Sequence, residues 1–285
     1  MPMKSITPPD SAASVNVHRL GRRAILGFGI LAIMTLASGA LMYSTIEPGE
    51  TFASDADAAR RISLLSSVTA WSATASLDAW RTAVLRADVL SIIEADVLTT
   101  LDVGEALKVI DARERAENLA RPPVVAALTM SQAAQLDGLL ARGVEGIFLD
   151  ARSALQTAQA GGNSALSDLG GKIVAMANQA RLYNPDFVLV LRNAAELSAD
   201  FRVARVIDGV AHDNLLYGLD GPTVANSANE VAVALHDLNR VKRSGRPVFI
   251  AERLALDAMS ARAEARNKLA SFGFIGWIAE PRARS

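Results

Sequence analysis

Eight short apolar, β-prone runs recur along this chain with stretches of helical period between them, a pattern that belongs to βα units built on a parallel sheet. The runs are SSVTAW ending at Trp71, DVLSIIEA around Ile92, PVVAALT around Val125, GIFLD at Phe148, FVLVLRN around Leu189, IDGVAHD around Val210, PVFIAE around Phe249 and FIGWIAE around Trp277. Amphipathic segments at 76–86, 103–119, 132–142, 165–182, 223–243 and 257–272 separate them. Strands that are apolar throughout need cover on their outer face, and a closed (β/α)8 barrel of the TIM type supplies it. An open doubly wound sheet is the alternative. It would carry a glycine-rich phosphate loop after its first strand, and none stands there.

A different signal precedes the first strand. Residues 24–43, AILGFGILAIMTLASGALMY, are uncharged and long enough to cross a bilayer core of roughly 30 Å as a helix. Arg19, Arg22 and Arg23 flank the segment and are expected on the cytoplasmic side, which sends the rest of the chain outward. Anchor and cleaved signal both stay open: LASGA has cleavage-like small residues, but the apolar run exceeds the usual signal length. The expected organisation is a basic tail at 1–23, a membrane anchor or signal at 24–43, a polar linker at 44–60 and a barrel at 61–285.

The composition narrows the chemistry. Of 285 residues, 51% are hydrophobic, enough for one large core; 29 Lys and Arg stand against 30 Asp and Glu, without the basic footprint of a nucleic-acid binder. Cysteine is absent and histidine occurs three times, so thiolate and histidine-rich metal sites and a cysteine nucleophile are excluded. No tight ligand spacing marks a metal site at any strand end, and no cofactor is expected.

In a barrel of this kind, chemistry sits where strands end, on the carboxyl-terminal face. Those ends carry Glu94 and Asp96, Asp150, Arg192 and Asn193, His212 with Asp213 and Asn214, Glu252 and Arg253, and Glu280. Tyr217 follows closely. Such a mouth suits a polyhydroxylated or amino-substituted ligand, and the reaction that needs only two carboxylates is glycoside hydrolysis. Asp150 and Asp213, on the fourth and sixth strands, are the candidate pair, at a separation of a few ångström to about 10 Å. Glu94, Asp96, Arg192, Asn193, Asn214, Tyr217, Glu252 and Glu280, with Trp71 as a stacking platform or a core aromatic, are candidate substrate contacts. His212 should face the opposite side of the sheet from Asp213.

Four blocks of the second half carry a resemblance. GVEGIFLD, NPDFVLVLRNAAEL, IDGVAHDNLLYG and the final pair RPVFIAERL and GFIGWIAEP, in order from Gly143 to Glu280, are similar to the polygalactosaminidase-like (β/α) barrels, glycoside hydrolase family 114. The resemblance implies an endo-acting hydrolase of galactosamine-containing polysaccharide, with Asp150 as nucleophile and the acid/base at position 213. There the sequence departs from the family, whose residue is glutamate. Aspartate shortens the reach by one methylene, roughly 1.5 Å, where catalytic geometry tolerates about 0.5 Å. Glu145 replaces a signature aspartate, and the family's Gly-Glu turn corresponds either to Ser131-Gln132 or to Gly104-Glu105. The alternative function is a barrel that binds polysaccharide or a secretion complex without cleaving it.

Overall fold

The structure, a computed structural model, describes residues 55–74, 89–94, 123–221 and 223–279, which fall within the unit Thr51–Ser285. The segment 24–43, the tail before it and the expected helices at 76–86 and 103–119 lie outside the described residues. Among the described residues no helix is long and apolar enough to cross a membrane.

Eight parallel strands follow one another in space as they do in sequence: β1 (Ala70–Thr74), β2 (Val89–Glu94), β3 (Val125–Thr129), β4 (Gly146–Asp150), β5 (Val188–Arg192), β6 (Gly209–Asp213), β7 (Val248–Arg253) and β8 (Ile275–Ala279). The Trp71 indole Nε1 donates to the Ile275 carbonyl at 3.0 Å and its ring lies 5.2 Å from that of Trp277. The last strand is thereby brought back to the first, and the sheet forms a nearly closed (β/α)8 barrel of the TIM type.

The first helix, α1 (Asp55–Ser66), begins inside the stretch expected to be linker, so the barrel's packing starts earlier than residue 61. After β3 the chain makes a 3-10 turn, Met130–Gln135, before α2 (Leu136–Ala141). The helix expected at 165–182 is the latter part of α3 (Arg152–Tyr183), interrupted where Gly162 takes a φ of 81°, a conformation that glycine adopts without a Cβ clash. Short α4 (Phe201–Val206) is capped by Asp200. Then α5 (Ala228–Arg243) starts later than its apolar period suggests: Ser227 Oγ accepts from the Glu230 amide while the Glu230 carboxylate accepts from the Ser227 amide at 2.8 Å. Finally, α6 (Met259–Phe272) ends at left-handed Gly273.

Alternation along the strands sorts the apolar residues into two layers. Ile92, Ala127, Phe148, Val190, Ala211 and Phe249 fill the barrel interior around Trp71, and Leu65 and Val68 close it from beneath at the end of α1. Ile93, Leu149, Leu189, Val210 and Ile250 face outward against the helices. The interior is therefore a packed core, and inward-facing polar groups stand at the strands' carboxyl ends.

At the amino-terminal face one buried carboxylate organises three segments. Asp208 receives Arg61 Nε at 2.9 Å, Arg181 Nη2 at 2.7 Å and the Leu189 amide at 2.8 Å. Arg61 is 0% exposed and also donates to the Pro185 carbonyl at 3.0 Å, so α1 is pinned to the base of β5 and β6. Removing one partner of a buried ion pair strands the other charge, at a cost of about 3–5 kcal/mol. Arg61→Ala is expected to lower the unfolding free energy by about that amount in urea titration. Arg60→Ala, which breaks the exposed pair with Asp186, should cost no more than about 1 kcal/mol; equal losses in the two variants would contradict the structural role given to Arg61.

Candidate active site

Strands β4, β5 and β6 deliver a connected polar cluster to the barrel mouth. Asp150, Arg192 and Asp213 end these strands, facing inward above Phe148, Val190 and Ala211. The Arg192 guanidinium holds Asp213 with two parallel bonds, Nε to Oδ1 at 3.1 Å and Nη2 to Oδ2 at 2.7 Å. Asn193, just past the end of β5 with a φ of 55°, joins the carboxylates. Its Nδ2 donates to Asp150 Oδ2 at 2.9 Å and to Asp213 Oδ2 at 3.3 Å, while its Oδ1 accepts from the Asp213 amide at 2.8 Å. Because one nitrogen reaches both oxygens, their separation cannot exceed the sum of those two distances. So close an approach of one oxygen from each carboxylate is compatible with the roughly 5–5.5 Å carboxyl separation of retaining glycosidases.

The two carboxylates differ in surroundings. Asp213 is buried, which by itself would raise its pKa, but Arg192, the Asn193 amide and Arg253 outweigh burial and hold it below the ordinary aspartate value. Asp150 is more open, its side chain 29% exposed, and its Oδ1 accepts from the amide of Arg152 at the start of α3. A pocket of about 220 Å³ lies over the cluster, walled by Thr129, Gln132, Asp150, Arg192, Asp213 and Arg253. Beside it a wider cleft of about 720 Å³ runs along both arms of the broken helix α3, past Arg152, Thr157, Asp168 and Lys172. The two openings share Thr129, Asp150 and Asp213.

Asp150, Asp213, Arg192 and Asn193 are thus brought together, and other residues read from the strand ends are placed elsewhere. Trp71 stands near the beginning of β1, 2% exposed, between Phe148, Phe249 and Trp277; the core reading of that residue prevails over a stacking platform. Glu252 is 0% exposed on the outer side of β7, where its carboxylate accepts the amides of Leu216 and Tyr217. It is a brace for the β6–α5 loop instead of a substrate contact. Tyr217 is buried in the outer layer beside Glu264 of α6, and Asn214, left-handed at φ 60°, packs against Gly218. The correction at Glu252 follows from the two-residue alternation: on β7 the inward residue at the mouth is Arg253, which an in/out count from Phe249 and Ala251 identifies. Asp96 and Glu280 lie outside the described residues, and Glu94 closes β2 in register with Ala127. Of the two family-turn alignments, Gln132 lies at the mouth and bonds the Thr129 amide, and Gly104-Glu105 is outside the described residues. Glu145 sits at the amino-terminal end, accepting from the Val124 amide. His212 faces outward, and burial with the nearby charge of Arg152 lowers its pKa to about 4. No group of His, Asp and Glu side chains able to hold a metal ion occurs among the described residues.

The fold is a parallel eight-stranded (β/α)8 barrel with a carboxylate cluster at its carboxyl-terminal mouth. The solved glycoside hydrolase domain of PelA from Pseudomonas aeruginosa is similar at a TM-score of 0.55 and 11% identity, over 75% of this chain and 95% of that domain. A variant of the same domain is similar at 0.54. At such identity the likeness is one of fold. An uncharacterized protein of Deinococcus radiodurans is 30% identical over 148 residues, 52% of this chain and 46% of that protein, so the match spans about half of each. No family model matches the chain.

Burial raises the Glu252 carboxyl to about 7 against the amides that favour its charge, with Asp213 adding to the rise. The folded state therefore binds that proton more tightly than the unfolded chain does. This contribution to stability is complete below the ordinary glutamate pKa and is lost as pH rises through about 7. The opposite holds for Asp213, whose contribution is present above the ordinary aspartate pKa and lost as pH falls through its lowered value. Unfolding free energy measured against pH should decline toward neutrality in the natural protein, and Glu252→Gln should remove that decline. Asp213→Asn should instead flatten the acid limb.

Proposed function

We propose that this protein is an exported glycoside hydrolase acting on a surface or extracellular polysaccharide, held at the inner membrane by residues 24–43 or released if that segment is cut. The observation that carries the reading is the pair Asp150 and Asp213, bridged by one Asn193 amide at the mouth of a glycoside-hydrolase-like barrel. Their spacing fits a retaining, double-displacement reaction, in which Asp150, the more open carboxylate, is the nucleophile. The cleft along α3 gives room for several sugar units of a polymer. The resemblance to polygalactosaminidase-like barrels makes a galactosamine-containing polymer the first substrate to try.

One observation favours a second reading, a barrel that binds polysaccharide or a secretion complex without cleaving it. The bidentate pair with Arg192 keeps Asp213 ionised, whereas the acid/base role implied for position 213 needs a proton at working pH. The readings separate on partly deacetylated galactosamine polymer. The natural protein is expected to release reducing ends, and Asp150→Asn to fall to background while still retaining the polymer in a pull-down. A natural protein that binds the polymer and releases nothing would establish the second reading.

A further inference from the structure

The turns that lead into β5, β6 and β7 form one continuous surface at the amino-terminal face, opposite the mouth. Arg181 Nη2 donates to the Val206 carbonyl at 2.7 Å and Arg246 Nε to the Ile207 carbonyl at 2.9 Å, so the segments before these three strands are bonded side by side. Helix α1 belongs to the same surface, through Arg61 to the Pro185 carbonyl and the pair of Arg60 with Asp186. Charge on this face is one-sided: over 56–66, 142–145, 181–187, 205–208 and 242–247, all described residues, eight Lys and Arg stand against four Asp and Glu. Each of the four acids is already engaged, Asp57 and Asp186 with Arg60, Asp208 with Arg61 and Arg181, and Glu145 with the Val124 amide. Arg205, Lys242 and Arg243 are exposed on the face. Cations in the last turn of a helix complement its dipole, but that accounts for no apolar exposure. Leu182 and Tyr183, the last residues of α3, are 61% and 72% exposed. A leucine and a tyrosine set beside a surplus of cations is the composition of a surface that meets lipid headgroups.

Resting on the reading of residues 24–43 as a membrane segment, we infer that this face docks on an anionic lipid surface, with Leu182 and Tyr183 entering the headgroup layer and the cations meeting phosphate. The chain that precedes α1 selects this occupant. Eleven residues, 44–54, separate the uncharged run from Asp55, a reach of at most about 40 Å at roughly 3.3–3.6 Å per residue. They join the barrel at α1, the helix bonded to this face. A barrel on so short a lead presents its amino-terminal end to the bilayer, and the mouth, at the other end of the strands, is turned toward polymer outside. The docking is electrostatic in its larger part, so it requires anionic lipid and is weakened by salt.

The chain has no cysteine, so one introduced thiol carries one label. Tyr183→Cys and, at the mouth end, the exposed Leu219→Cys are each labelled in the full chain with a polarity-sensitive dye and mixed with vesicles of phosphatidylcholine alone or with phosphatidylglycerol added. The label at 183 is expected to brighten several-fold and shift to the blue on the phosphatidylglycerol vesicles, to lose that gain in high salt, and to respond little to phosphatidylcholine; the label at 219 should not change. Adding Lys242→Glu and Arg243→Glu to Tyr183→Cys should cut the gain several-fold. A label at 183 that ignores lipid charge, or one at 219 that responds as strongly, overturns the docking. Flotation of the same samples separates this from the membrane segment. A chain that floats with both vesicles and shows no change at 183 keeps its anchor and refutes the docking, one that floats only with phosphatidylglycerol and brightens at 183 supports the docking without the anchor, and one that floats with neither overturns both. None of these readouts needs turnover, so they stand apart from failure of the hydrolase reading.

Discussion

Closure of the parallel sheet is the constraint on which this molecule depends. Once β8 is carried back to β1 through Trp71, inward-facing side chains have nowhere to go except a packed interior or the two ends. Apolar residues take the interior and α1 closes the lower end, so inward polar groups are left to the carboxyl-terminal mouth. Asp150, Arg192, Asp213 and Arg253 share one small pocket for that reason, although they come from four strands spread over about a hundred residues of sequence.

Strand β6 shows how the two ends differ. It is bounded by aspartates, Asp208 just before it and Asp213 at its end, and each is held by arginine. Below, Asp208 collects guanidiniums from α1 and α3 and an amide from β5, with negligible exposure of Asp208 and Arg61. That is a structural joint, since breaking it strands a buried charge. Above, Asp213 keeps an opening to the cleft, and Asn193 ties it to a carboxylate that solvent reaches. The same chemical pair thus serves assembly at one end and fixes a charge beside a cleft at the other. The outward neighbour Glu252 has the reverse environment, buried with backbone amides as its donors, and its pKa moves up instead of down.

Much of the scaffold was legible in the sequence. All eight strands lie within or beside the apolar runs that announce them, because a barrel strand is short, continuous and bounded by turn residues. What failed on β7 was the face of the residue. Naming Glu252 instead of Arg253 treats a strand end as a point, when successive side chains point to opposite sides. The start of α5 was legible in principle, since Ser227 and Glu230 have the capping-box spacing, but helical period alone extends the helix backward. Arg61 carries no comparable local signal. Its burial depends on Asp208, 147 positions away, and an arginine in an amphipathic helix reads as solvated.

The aspartate at 213 can now be weighed as more than a shortened glutamate. An acid/base must approach the leaving oxygen, so one methylene of withdrawal is costly if this residue is the proton donor. A carboxylate whose task is to remain charged has a different requirement, namely donors on both oxygens and a fixed backbone. Asp213 meets it: Arg192 bonds both oxygens, Asn193 bonds one of them, and Asn193 Oδ1 holds its amide. The left-handed backbone of Asn193 lets its side chain fold back between the two strand ends. The short side chain at 213 and the turned asparagine at 193 therefore form one device, whose geometry favours fixing charge at the mouth over moving a proton.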